Sequence, residues 1–514
     1  MNTFSQELAQ YIISCLLGLG VSATMIALIL TFQRHYNWAS RKEELHHTHK
    51  SSILRFGGIA LVAAFVSVVI LLWAGLGKSF AHESVCWKIV ALSLAMFGLG
   101  LRDDFRPLGA KCKLTGQLLI ASAAYFLGIN IHTFQIPFLH QFIDLGIWSW
   151  LVTVFWLVAM TNLVNLIDGV DGLAGGICLM LMLLLTSVGF GADSMSFIAA
   201  GMAGALLGFL WFNFPPARIY MGDGGAYFLG FLIGSMTIVN SQKGTIFSAL
   251  IAPLFVLALP ILDTTLAILR RGFRGLPLFR PDRRHIHHHL LERGVSRKKV
   301  VLGLYLFTAF FLLLGFAAFW WHGQHLPILL GVGTLALLVT AGKCSFSRKW
   351  FNVGRVVSNS LAERSEIHYA ICHSNWLAME GARSRGIENL SEDVAFIARK
   401  LGFARVQIRL EDGEKVWQLV EINEEDCHHY RHPLPGHHYC FLNLSVPCRS
   451  LEGTMVQDTQ KAEYETLSEL LAEGWIKAVA AWEKQHQLPM RFDRRATPVR
   501  EMQPREIFVA HAEV

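Results

Sequence analysis

The chain has 514 residues, 53% of them apolar and only 16% charged, with a mean hydropathy of +0.41. That composition excludes an ordinary soluble globular protein and points to a membrane protein, long enough to carry a further domain. The net charge of +7 is small for this length, so charge informs through its distribution along the chain, and no nucleic-acid partner is expected.

The apolar run from Tyr11 to Phe32 follows Glu7 rather than a basic stretch. It is too long for the core of a signal peptide and reads as a retained transmembrane helix. From there to about residue 342, apolar stretches of roughly 17–25 residues alternate with short polar breaks, the length a helix needs to cross hydrocarbon. Spanning segments must be helical, because lipid offers the backbone no hydrogen-bond partner. About eleven such stretches are predicted, centred near residues 20, 63, 93, 122, 154, 182, 203, 234, 257, 310 and 333.

Lys and Arg concentrate in the odd-numbered breaks: Arg34 to Arg55, Arg102 to Lys113, and Arg270 to Lys299. Lys78 and Lys243 are exceptions. The bias places these breaks in the cytoplasm, the N-terminus outside (periplasmic) and the C-terminus inside. The nine cysteines are scattered and form no paired framework, so reduced thiols are expected.

After Gly342 the composition turns polar. Residues 343–514 are predicted as a soluble, cytoplasmic, mixed α/β domain with a loose C-terminal tail. A helix is expected over 391–401. Val406, Ile408 and Leu410 alternate as a strand, Asp412-Gly413 supplies a hairpin turn, and the chain returns over Val416–Ile422. Tyr464, Leu467, Leu471, Trp475, Ala478 and Trp482 recur at helical spacing. Cys427, His428, His429, His432, His437, His438, Cys440 and Cys448 crowd together, but their spacing fits no zinc pattern. A histidine-rich loop is the simpler reading there, and likewise for His46, His47 and His49.

The acidic residues of the membrane region are the informative ones. Segments 100–117, 162–173, 215–230 and 279–290 all fall at helix ends on one predicted face. Asp103 and Asp104, beside Lys111 and Lys113, can bind a metal or neutralise phosphate. Asp168 and Asp171 are three apart, so on a helix they share a face with Asn165. Asp223 sits between Gly222 and Gly224-Gly225, a flexible turn able to present one carboxylate to magnesium, which prefers hard oxygen ligands. Arg283, Arg284, His285, His287 and His288 form a basic cluster suited to a diphosphate. Each cluster alone has a plainer reading: a solvated helix end, a turn, or a positive-inside anchor. Four on one face are harder to dismiss, because ionisable residues at apolar helix ends are costly.

At these residues the sequence resembles the polyprenyl-phosphate N-acetylhexosamine-1-phosphate transferases, glycosyltransferase family 4. The family's patterns correspond to Asp103-Asp104 with Lys113-Leu114-Thr115-Gly116-Gln117, to Asn162 through Ala174, to Gly222-Asp223-Gly224-Gly225, and to His285-Ile286-His287-His288. The resemblance covers residues 1–342. Ala226 stands where Ser is common, and Leu54 where a Pro often precedes Arg55-Phe56-Gly57-Gly58. The segment Phe279 to His288 looks like the undecaprenyl-phosphate N-acetylglucosaminyl 1-phosphate transferase branch, which serves O-antigen, enterobacterial common antigen or teichoic acid. The peptidoglycan-type phospho-MurNAc-pentapeptide transferase is the alternative.

The resemblance implies a bacterial inner-membrane enzyme with its site on the cytoplasmic face. Undecaprenyl phosphate would attack the β-phosphorus of a UDP-sugar and release UMP, directly or through a covalent aspartyl intermediate. It implies Mg2+, with Mn2+ as a substitute, on Asp223 with Asp103. Asp103 and Asp104 would handle the lipid phosphate. Asn165, Asp168 and Asp171 would shape the nucleotide site. Lys113, Arg283, Arg284, His285, His287 and His288 would hold phosphate charge. A homodimer is compatible with this reading, and the C-terminal domain is left without an assigned partner. A transporter would place its ionisable residues near the bilayer midplane, and a sensor would leave the motifs unexplained.

Overall fold

The computed structural model describes residues 3–36, 53–76, 84–135, 142–190, 194–243, 296–320, 331–336, 364–384, 386–410, 413–420, 427–434, 440–448 and 458–487, with scattered residues between 254 and 276 and between 325 and 329. The chain separates into two compact units.

The first unit contains α1 (Thr3–Tyr36), α2 (Gly57–Leu71, continued by a π-helical turn Leu72–Leu76), α3 (Ser84–Phe105), α4 (Ala110–Phe126), α5 (Trp148–Ile167), α6 (Leu173–Val188), α7 (Ser194–Asn213), α8 (Gly222–Lys243) and α9 (Arg297–Trp320). Among the described residues, seven helices are long and apolar enough to cross a membrane, which makes this a multi-pass membrane protein. Among those residues the expected count of about eleven is not confirmed. Nine of the predicted centres fall within helices, but α4 and α6 have only 17 and 16 residues, about 25 Å at 1.5 Å per residue. The centre near 257 lies in a stretch of which only isolated residues are described, and the centre near 333 falls in a described helical stretch of only six residues, 331–336.

Helices α7 and α8 are the most buried of the spanning helices. The spanning window of α8 is 94% buried and that of α7 78%, against 22% for α1. Helices α1 and α6 pack on α7, and α3 and α5 pack on α8. Helix α1 approaches α7 until the backbones touch. A Cβ on Gly204 would overlap the Cys15 carbonyl, and one on Gly18 that of Gly201. Lipid-embedded helices gain association energy from such close packing and from hydrogen bonds between helices. Tyr11 Oη and Ser196 Oγ share a bond of 2.6 Å, and Ser14 Oγ donates to the Phe197 carbonyl at 2.8 Å.

A short hairpin that the hydropathy pattern did not predict, β1 (Thr133–Gln135) with β2 (Phe142–Asp144), lies between α4 and α5. Ser149 Oγ donates to the Ile131 carbonyl and Thr153 Oγ1 accepts from Ile131 N–H, anchoring its approach to the start of α5.

The second unit contains α10 (Arg364–Glu380), α11 (Ile387–Lys400), β3 (Arg405–Leu410), β4 (Gly413–Gln418), β5 (Cys427–Pro433), β6 (Phe441–Pro447) and α12 (Asp458–His486). The strands form one antiparallel sheet in the order β4-β3-β6-β5. Val406, Ile408 and Leu410 of β3 and Leu442, Leu444 and Val446 of β6 are buried in one core with Val394, Ile397, Leu471 and Trp475 from the helices. The expected mixed domain, its first hairpin and both expected helices are present; Asp412 lies outside the described residues.

The histidine-rich loop is a correction. Cys427 to His432 belong to edge strand β5, whose pleat sends alternate residues to opposite faces. His429 Nδ1 bonds Ser445 Oγ at 2.9 Å, and His432 Nε2 bonds Ser468 Oγ at 3.0 Å. The histidines join strand to strand and strand to helix. Among the described residues no three His, Cys, Asp or Glu side chains are grouped to hold a metal. His46, His47, His49, His437 and His438 lie outside them.

Replacing Gly204 by Leu is expected to destabilise the membrane unit by about 1–3 kcal/mol through overpacking, seen as a lower thermal midpoint of the detergent-solubilised protein. An unchanged midpoint would show that α1 is not seated on α7 as described.

Candidate active site

Three of the four polar segments meet at one end of the first unit. The fourth, with Arg283, Arg284, His285, His287 and His288, lies outside the described residues. Asp103 and Asp104 occupy the last turn of α3. Carboxylates at a helix C-terminus oppose the macrodipole, so each needs a compensating partner, and each has one.

Asp103 is 2% exposed. Its Oδ1 accepts from Leu108 N–H at 2.6 Å, which fixes the turn into α4, and its Oδ2 pairs with Lys113 Nζ. The same ammonium reaches Asp223 Oδ2 at 3.2 Å. Asn165, in the last turn of α5, donates from Nδ2 to Asp223 Oδ1 at 3.0 Å. One turn earlier on α5, Asn162 Nδ2 donates to Gln117 Oε1 of α4 at 2.7 Å. Four helices thus deliver one connected cluster, Asp103–Lys113–Asp223–Asn165.

Asp104 is placed differently. Its two oxygens accept from Asp223 N–H at 3.0 Å and Gly224 N–H at 2.8 Å. It caps the first turn of α8 from another helix, satisfying backbone donors that a helix start leaves unpaired. Asp223 is accordingly no residue of a flexible turn. Gly222 has φ +79°, a left-handed conformation that favours glycine, and Asp223 begins the helix where the dipole favours a negative charge.

Asn165, Asp168 and Asp171 do not share a helix face as the spacing suggested. Helix α5 ends at Ile167, and Gly172 turns left-handed with φ +80°. Asp168 stands in the turn between α5 and α6. Burial, then the nearby Asp223 and Asp104 carboxylates, push its pKa well above the ordinary carboxylate range, and Arg55 opposes them. Asp171 is a scaffold residue: its Oδ2 accepts from Ala217 N–H at 3.1 Å.

Sequence reasoning missed three residues. Asn213, buried at the end of α7, accepts from Gly172 N–H at 2.9 Å and donates to the Ile219 carbonyl at 2.7 Å, tying the Asp171 turn to the approach to Asp223. A lone amide closing an apolar run was the available signal. Arg55 acts electrostatically on Asp104 and Asp168. Its own segment is fastened to the approach to α8, with Tyr220 N–H to the Leu54 carbonyl, Gly57 N–H to the Tyr220 carbonyl and Gly58 N–H to the Met221 carbonyl, at 2.8–2.9 Å. Tyr305 of α9 donates its hydroxyl to the Gly172 carbonyl.

The donor set fits a magnesium ion. Asp103 and Asp223 present hard oxygens that already converge on one cation, the Lys113 ammonium. Magnesium is usually held by one or two carboxylates, the rest of its shell coming from water and substrate phosphates.

Membrane helices ending in a carboxylate cluster built around one ammonium, with the quoted motifs on it, define an integral-membrane transferase. The pattern of glycosyl transferase family 4 matches residues 86–241, the span that carries Asp103 to Asp223. A Bacillus subtilis protein named a probable undecaprenyl-phosphate N-acetylglucosaminyl 1-phosphate transferase is 34% identical over 260 residues, 50% of this chain and 71% of that relative. The decaprenyl-phosphate N-acetylglucosaminephosphotransferase of Mycobacterium tuberculosis is 32% identical over 285 residues, 51% of this chain and 70% of its own. A phospho-N-acetylmuramoyl-pentapeptide-transferase of Chloroherpeton thalassium is 27% identical over 305 residues, 51% and 79%. The chain belongs to glycosyl transferase family 4.

Asn213→Ala removes an acceptor and a donor from two buried backbone groups, at a cost of about 2–4 kcal/mol. Asn213→Asp, which keeps the acceptor, should fall between it and the wild type in thermal midpoint. Equal midpoints for all three would contradict the tie.

Proposed function

We propose that the protein transfers N-acetylglucosamine 1-phosphate from UDP-N-acetylglucosamine to undecaprenyl phosphate, giving the lipid-linked diphosphate sugar and UMP, the first step of a cell-envelope glycan. The observation that carries this reading is the single Lys113 ammonium shared by Asp103 and Asp223 at the end of a helical bundle. It sits on the segments that resemble the phosphotransferase motifs, and the relatives named for N-acetylglucosamine transfer are more alike to this chain than the pentapeptide transferase quoted above.

In the reaction, a lipid phosphate oxygen forms a bond to the β-phosphorus while the bond to the UMP oxygen breaks, and UMP leaves with the electron pair. A phosphomonoester has its second pKa near ~6, so the nucleophile is largely deprotonated at neutral pH and needs no dedicated base. Catalysis is then positioning and charge neutralisation.

Asp103 and Asp223 would hold Mg2+, which when bound supplies positive charge to the diphosphate. Lys113 follows phosphate charge as it moves from donor to acceptor. Asn165 keeps the Asp223 carboxylate oriented. Asp168, in the turn between α5 and α6, is assigned to the nucleotide site by resemblance. Asp104 and Asp171 act through the backbone they hold. Arg283, Arg284, His285, His287 and His288 are assigned to phosphate by resemblance. The reaction is placed at the cytoplasmic face of a bacterial inner membrane, on the charge bias of the breaks.

Membranes containing the protein, given UDP-N-acetylglucosamine, undecaprenyl phosphate and Mg2+, should release UMP; release only with the muramoyl-pentapeptide donor would move it to the other branch. Asp223→Asn should lower turnover by about 10^3-fold, the several kcal/mol a metal contributes, while still inserting in the membrane. Near-normal turnover would remove Asp223 from the metal. His287→Ala should cost more than about tenfold; a loss under about threefold, below 1 kcal/mol, would make it an anchor.

A further inference from the structure

Gly172 closes the turn that carries Asp168 and Asp171, and both of its backbone polar groups are held by side chains from other helices. Asn213 of α7 takes its N–H, and the Tyr305 hydroxyl of α9 donates to its carbonyl. The Tyr305 ring lies over Gly176, one turn into α6. A Cβ at Gly176 would overlap ring atoms, and one at Gly172 would stand 3.4 Å from the hydroxyl. The ring is therefore seated in a notch that α6 leaves open, and its hydroxyl reaches the turn.

The Gly172 carbonyl also accepts from Gly176 N–H at 3.0 Å, the first bond of α6. Losing the tyrosine hydroxyl would leave no orphaned carbonyl. The second bond adds direction rather than rescue: it fixes how the end of the turn is aimed while contributing little to stability. Four residues upstream on that turn is Asp168, which interacts electrostatically with Asp223 and Asp104.

We propose that Tyr305 is a positioning residue for the transfer reaction, a strut from α9 that holds the Asp168–Gly172 turn, and with it Asp168, in register with Asp223. This rests on the proposed function. It predicts a loss in turnover out of proportion to any loss in stability or donor binding.

The test is made on full-length protein in detergent. Tyr305→Phe keeps the ring in its notch and should lower kcat about tenfold, the equivalent of one hydrogen bond. The KM for UDP-N-acetylglucosamine should stay within about twofold, and the thermal midpoint should move by less than about 2 °C. A wild-type kcat in Tyr305→Phe overturns the proposal, as does a midpoint drop that accounts for the loss. A double-mutant cycle supplies the second arm. Gly176→Ala should cost at least about tenfold beside Tyr305 but less than about twofold in a Tyr305→Ala background, where the ring it collides with is gone. Equal costs in both backgrounds overturn it too. Should wild-type protein release no UMP, the proposed function fails. The cycle is then read on thermal midpoints, where equal shifts from Gly176→Ala in both backgrounds overturn the strut.

Discussion

The Lys113 ammonium, shared between Asp103 and Asp223, sets the terms for everything around it. Two carboxylates at the ends of apolar helices repel each other and are poorly solvated, so they converge only where a cation balances them. Asp103 comes from α3, Lys113 from the first turn of α4 and Asp223 from the first turn of α8. Their meeting fixes the ends of three helices at one level. Removing the lysine would leave two facing charges with less reason to stay together.

A second set of side chains makes that meeting reproducible. Asp104 caps α8 from α3, Asp171 holds the backbone at Ala217, and Asn213 joins Gly172 to Ile219. The segment Leu54–Gly58 is fastened to Tyr220 and Met221 by backbone bonds alone. All of these act on the turn that carries Asp168 or on the approach to and start of α8, which carries Asp223. Of the five aspartates at this end of the bundle, Asp104 and Asp171 hold backbone, while Asp103 and Asp223 meet the Lys113 ammonium. Such division of labour suits a phosphoryl transfer, in which placement and neutralisation supply most of the acceleration.

The broad architecture was legible in the sequence because lipid leaves so few options. Apolar runs of sufficient length gave the helices, and the positions of Asp103, Asn165 and Asp223 at helix ends gave one face. Span count was less legible, since α4 and α6 are apolar yet short. Spacing misled where glycine intervened: Asp168 and Asp171 are three apart as on a helix, but Gly172 adopts a conformation that closes a turn. Asp104 reads in sequence as the twin of Asp103, and only three dimensions show it capping a helix more than a hundred residues away. Tyr305 carried no signal, being one hydroxyl in an apolar helix. In the second unit, the alternation of β3 was readable, whereas the histidines of β5 masked a strand beneath a metal-like composition.

We propose that Asp103 and Asp223 form one cation site at the point of phosphate transfer. Mn2+ is a paramagnetic stand-in for Mg2+, and its binding to the purified protein in the presence of UDP can be followed by electron paramagnetic resonance. About one tightly bound ion per chain is expected, completed by nucleotide phosphate, and it should be lost in both Asp103→Asn and Asp223→Asn. Undiminished Mn2+ binding in those two variants would contradict it.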